Sequence, residues 1–155
     1  MNDDDVKTMS RNSSLRRGYG WFQNLLRNLR SIESKPHFTQ LRRPRGHAIV
    51  AGAGPSLTED LKRHPVPVFA VNTAVPAVQA AGVEIDVAVI SDSLPMEDQL
   101  PDEGLVAASL TCAPSVLKRA DVWYLSGLPL WSELGALSGK QPLDYGGFAL
   151  GAATE

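Results

Sequence analysis

Residues His47 to Leu57 read His-Ala-Ile-Val-Ala-Gly-Ala-Gly-Pro-Ser-Leu. An apolar run, Ala48 to Ala51, enters a turn made of Gly52, Ala53, Gly54, Pro55 and Ser56, and a helix-forming segment, Leu57 to Arg63, leaves it. That succession predicts a buried strand, a tight turn and a helix start. Glycine at 52 and 54 permits positive φ and lets a ligand approach without a Cβ in the way. The helix start that follows offers free N–H groups and the positive end of a dipole, a seat for phosphate. Residues 52 to 56 are therefore a candidate cofactor-binding turn. A turn that serves chain reversal alone is the alternative that spacing leaves open. The third glycine of the dinucleotide fingerprint is absent, and the missing Gly-Lys-Ser/Thr excludes a Walker loop.

Further units of the same kind follow. Val68 to Val71 reads as a second strand ending at Asn72-Thr73. Ala74 to Ala81 reads as a short helix, with Pro76 tolerated in its first turn and Gly82 ending it. Asp86 to Asp92 gives a third strand, Leu105 to Leu110 a fourth, Pro114 to Arg119 a helix and Val122 to Leu125 a fifth strand. Strands alternating with helices predict an α/β fold: a Rossmann-like, doubly wound, mostly parallel sheet with right-handed crossovers. Before it, Trp21, Phe22, Leu25, Leu26, Leu29 and Ile32 recur at three- and four-residue steps, an N-terminal amphipathic helix over Tyr19 to Ser34 closed by Pro36.

Three parts follow from this: a polar tail over 1–17 expected to be disordered, a helix and basic linker over 18–46, and a Rossmann-like nucleotide-binding domain over 47–155. Asp144 to Ala153 looks like a second glycine turn opening a helix, and the chain stops within it, so the domain is expected to be C-terminally incomplete.

Charge divides unevenly. Ahead of His47 stand ten Lys/Arg against four Asp/Glu, a net +6; the remainder carries five against thirteen, a net −8. The basic arm reads first as a solvated helix face, ahead of nucleic acid or anionic lipid. Its apolar face is expected to pack on the domain or to join copies of the chain into a homo-oligomer. The single cysteine, Cys112, allows no disulfide framework and no cysteine metal site, which suits a cytoplasmic protein. No apolar run approaches membrane-spanning length.

In an open α/β sheet, ligands gather at the C-terminal strand ends. There stand the glycine turn, Asn72 with Thr73, and Ser91 to Ser93. Asn72 offers donors and acceptors suited to a base or sugar, or a cap for the next helix. Asp92 suits Mg²⁺ bridging phosphates, or a turn in the loop that follows. Asp86 sits at the opposite end of its strand and reads as a strand entrance. His37, His47 and His64 lack ligand spacing, and no nucleophile–histidine–acid set is present.

Taken together, Asn24…Asn28…Ile32, then Gly46 to Leu57, Val71-Asn72, Ala81-Gly82-Val83, Asp86, Ser91-Asp92 and Tyr145-Gly146-Gly147 resemble the 6-hydroxymethylpterin diphosphokinase MptE-like family. The resemblance implies diphosphate transfer from ATP with Mg²⁺ to a small hydroxymethyl acceptor, with Gly52, Gly54, Pro55, Ser56 and Asn72 on the nucleotide and Asp92 on metal or phosphates. Related families act on nucleotide sugars, so a glycosyltransferase is a second expectation. A third, of another class, is a non-catalytic nucleotide-binding or interaction module of the kind phage genomes carry. The family's later Gly-x-Asp motif is missing here.

Overall fold

In the computed structural model, residues 18–41, 46–55, 57 and 66–125 are described below. Five strands form one sheet: β1 (Ile49–Ala51), β2 (Val68–Val71), β3 (Val87–Ile90), β4 (Leu105–Ser109) and β5 (Val122–Tyr124). Every pair is parallel, and the spatial order is the chain order, β1 to β5. The α/β class and the N-terminal helix are as the sequence pattern requires.

Alternation decides the two faces. Ala51, Ala70, Ala88, Ile90, Val106, Ala108 and Trp123 belong to the larger core cluster. The helices add Leu25 of α1 (18–28), Val75 and Val78 of α3 (Ala74–Ala80), and Val116 and Leu117 of α4 (Pro114–Arg119), and connecting segments add Ile85, Leu110 and Cys112 among others. Ala51, Ala70 and Ala88 lie in line across three strands, and their small side chains give the helices room to approach. On the opposite face Val71, Val89, Ala107, Val122 and Tyr124 pack with Phe38 and Leu41.

Strand entrances follow a repeated rule. Asp86 precedes β3 and its carboxylate accepts the N–H of Val68 on β2 at 2.8 Å. Asp121 precedes β5 and accepts the N–H of Val106 on β4 at 2.7 Å. In each case the backbone N–H of the aspartate returns a bond to the same partner's carbonyl. Asp86 is thus a strand clamp at the sheet's N-terminal edge, as expected. Gly104, ahead of β4, has φ +100 and lies so close to β3's entrance that a Cβ would stand 2.1 Å from the Ile85 carbonyl oxygen.

Helix ends obey local chemistry. After α3, Gly82 takes φ +70, its N–H bonds the Gln79 carbonyl, and Val83 N–H bonds that of Val78. This is a Schellman closure, which glycine makes without Cβ strain. The expected single helix over Tyr19 to Ser34 is two pieces. Residues 29 and 30 form a turn, and α2 (Ser31–Ser34) follows. The ladder tightens there to an i→i+3 bond from Ile32 N–H to the Leu29 carbonyl. Pro36 then forces Lys35 into extended backbone, φ −129 and ψ 145, which ends α2. Beyond it, the Lys35 and Pro36 carbonyls accept the Trp123 indole and backbone N–H groups, so this segment borders β5.

Candidate functional site

The tips of β1, β2 and β3 are neighbours because their strands pair in parallel. The sequence-derived candidates therefore share one edge of the sheet. Gly52 is half-buried there, while Ala53, Gly54 and Pro55 are exposed. Ser56 lies outside the described residues, as do residues 58–63 of the expected following helix.

The turn after β1 uses some of its own donors. Gly54 N–H bonds the Gly52 carbonyl at 2.8 Å, Leu57 N–H bonds that of Gly54 at 3.1 Å, and Pro55 has no N–H. The expectation of positive φ fails at Gly54, whose φ lies outside the left-handed range. What holds is the second reason for glycine. A Cβ at position 54 would meet nothing within 4 Å among the described residues, so no described atom bars a ligand's approach to the backbone there.

Asn72 is the one non-glycine residue with positive φ among the described residues, φ 42, a conformation asparagine tolerates better than most. Its backbone N–H extends the β2–β3 ladder to the Val89 carbonyl at 3.0 Å. Its side chain does not cap α3. Instead Oδ1 accepts Ser91 N–H at 2.9 Å and Nδ2 donates to Ser91 Oγ at 3.3 Å. Thr73, the residue at the α3 N-cap, is exposed and makes no side-chain cap bond.

Asp92 is half-buried beside this pair, and its Oδ1 accepts Leu94 N–H at 3.2 Å, closing an Asx turn. The segment carrying it is held from several directions. Tyr124 reaches across β4 and donates its hydroxyl to the Ile90 carbonyl at 3.0 Å. Asn72 fixes Ser91, as above. Asn24 of α1 donates to the Ser93 carbonyl at 3.0 Å and to that of Thr111 at 3.1 Å. One turn further on, Asn28 donates to the Leu110 and Cys112 carbonyls, both at 2.9 Å. Sequence reasoning gave neither asparagine a job; two amides one turn apart on an otherwise apolar helix face were the available signal.

Among the described residues no group of three or more His, Cys, Asp or Glu side chains converges. A small hard cation there would take Asp92 and complete its shell with phosphate oxygens and water, which is how Mg²⁺ is commonly held. The donor set fits that mode. Burial pushes the Cys112 thiol up to about 12, so it supplies no thiolate nucleophile. His37 is buried, with Nδ1 2.8 Å from Thr39 Oγ1 and its ring edge-on to Trp123 at 4.5 Å, and His47 is exposed; His64 lies outside the described residues.

A family model described as 6-hydroxymethylpterin diphosphokinase MptE-like matches residues 23–121, well over half of the 155-residue chain. The chain belongs to the MptE-like family. The matched span opens just before Asn24 and ends at Asp121, so it takes in both helix asparagines, the glycine turn, Asn72 and Asp92. No curated protein and no solved structure matches the chain. Among the described residues no helix is long and apolar enough to cross a membrane.

Proposed function

We propose that this MptE-like chain is a nucleotide-dependent transferase domain of the diphosphokinase type. The observation that carries the reading is that the glycine turn, Asn72 and Asp92, the last on a segment tethered at Ile90, Ser91 and Ser93, stand on adjacent strand tips. Gly52, Ala53, Gly54, Pro55 and Ser56 line the path of the phosphates. Asn72, with Thr73 beside it, flanks the nucleoside. Asp92 holds Mg²⁺, which when bound neutralises phosphate charge. The acceptor's hydroxyl oxygen attacks the β-phosphorus of ATP, the bond from that phosphorus to the α–β bridging oxygen breaks, AMP leaves, and the hydroxyl proton passes to solvent. The protein's share is orientation and exclusion of water around a pre-set charge pattern, with no covalent protein intermediate.

The test is calorimetric titration with ATP, CTP and CMP-sugars, with and without Mg²⁺, followed by assay of AMP release with a hydroxymethylpterin acceptor. Gly54→Val adds bulk where a Cβ displaces no described atom, and circular dichroism of the variant separates a loss of binding from a loss of fold. Mg²⁺-dependent ATP binding that both Gly54→Val and Asp92→Ala weaken at least tenfold supports the reading. Binding unchanged by both variants overturns it. CMP-sugar preference moves the chain to glycosyl transfer, and binding without AMP release makes it a binding module.

A further inference from the structure

Asn24 does something the phosphate argument does not require. It is 8% exposed, and both hydrogens of its amide nitrogen have carbonyl partners, one on each of two loops. One of those partners is the Ser93 carbonyl. The same peptide group carries the Leu94 N–H, and that N–H is the donor to Asp92 Oδ1. A single planar unit therefore has its oxygen pinned by α1 and its hydrogen pointed at the carboxylate. Turning that plane would swing the donor away from Asp92. A carbonyl that accepts a bond also polarises its own N–H, which strengthens the second bond of the chain.

Asn28 is the internal comparison. It is 2% exposed and makes the same pair of amide-to-carbonyl bonds, but both of its acceptors lie in the turn after β4. Equal chemistry and similar burial give the two asparagines similar weight in folding. Only Asn24 reaches the loop that carries Asp92. The geometry assigns Asn24 as a positioning residue for the Asp92 carboxylate, acting through the 93–94 peptide, and makes α1 a working part of the ligand site. The inference rests on the reading that Asp92 faces a Mg²⁺–nucleotide. By linkage, ligand binding and seating of α1 then strengthen one another.

The experiment uses the full chain, with Asn24→Ala, Asn28→Ala and Asp92→Asn beside the wild type. Amide exchange of Leu94, read without ligand, is expected to quicken roughly tenfold in Asn24→Ala, the loss of one hydrogen bond's worth of protection, and to hold in Asn28→Ala. Mg²⁺–ATP affinity is expected to fall roughly five- to tenfold in Asn24→Ala and to stay within about twofold of wild type in Asn28→Ala. If Asn24→Ala does not fold, Asn24→Gln keeps the donor but displaces it by one methylene, and the same readings apply. Unchanged Leu94 exchange in the Asn24 variant overturns the positioning role. So does an equal affinity loss in the two asparagine variants, which marks both as structural. Identical Mg²⁺–ATP binding by wild type and Asp92→Asn overturns the proposed function instead, a separate failure read from a separate protein.

Discussion

Gly104→Ala tests the close approach of β4's entrance to β3's. A Cβ built there stands 2.1 Å from the Ile85 carbonyl oxygen, 3.2 Å from the Ile85 carbonyl carbon and 3.5 Å from the Asp86 oxygen. An ordinary carbon–oxygen contact is longer, so β4's entrance must retreat by about 1 Å. That retreat takes away the Leu105 N–H bond to the Asp86 carbonyl, 2.9 Å long. Holding alanine at φ +100 costs about 1–2 kcal/mol. Losing the hydrogen bond adds about 1 kcal/mol. The sum is about 3 kcal/mol, a large share of a domain's stability.

Gly82→Ala is the control. It shares the positive φ, +70, but a Cβ there meets nothing within 4 Å among the described residues, so only about 1 kcal/mol is at stake. Urea unfolding followed by circular dichroism separates the two. At a slope of about 2 kcal/mol per M, the Gly104 variant should melt roughly 1 M earlier than the Gly82 variant. Both sit at turns away from the ligand edge, so Mg²⁺–ATP affinity of the folded fraction should not change. Coincident midpoints would refute the close approach of residue 104 to β3's entrance.

Two further outcomes follow from contacts described above. Asp86→Ala and Asp121→Ala should each cost about 1 kcal/mol in urea unfolding, and their losses should add in the double variant because they clamp different strand pairs; the corresponding asparagine variants, which keep an acceptor, should lose less. Cys112 titrates at about 12 when folded against 9.0 unperturbed, so its raised value leaves stability untouched below pH about 9 and draws it down as pH rises from there towards 12, where the unfolded chain alone releases the proton. Cys112→Ala should flatten that alkaline limb of the stability–pH curve.

Much of this architecture was legible in the residues. Apolar runs bounded by glycine, proline and acids marked all five strands to within two residues, because parallel strands buried on both faces leave near-continuous apolar sequence. Pro36 and Gly82 ended helices where local sterics say they must. The legible part stops where a residue's job depends on a distant partner. Gly54 and Gly104 are alike in sequence, yet a Cβ on the one meets no described atom within 4 Å and a Cβ on the other runs into a carbonyl. Asn72 invited a helix-capping reading, and only strand pairing shows that its amide serves Ser91. Asn24 and Asn28 interrupt an apolar helix face, and no spacing rule reveals that their acceptors lie more than 65 residues further along. Nor does the apolar repeat register the turn at residues 29 and 30, since Ile32 still packs against the core after it.

Strand order matching chain order has a consequence for assembly at the ribosome. Each new strand emerges next to the one just made, so the sheet can lengthen edgewise without rearranging what already stands. The N-terminal helix is the exception. Its amides wait for carbonyls at positions 93 and 110 to 112, and until these leave the exit tunnel a helix made before every strand lacks these partners. The candidate site is thus braced by a segment made ahead of the sheet and docked after it.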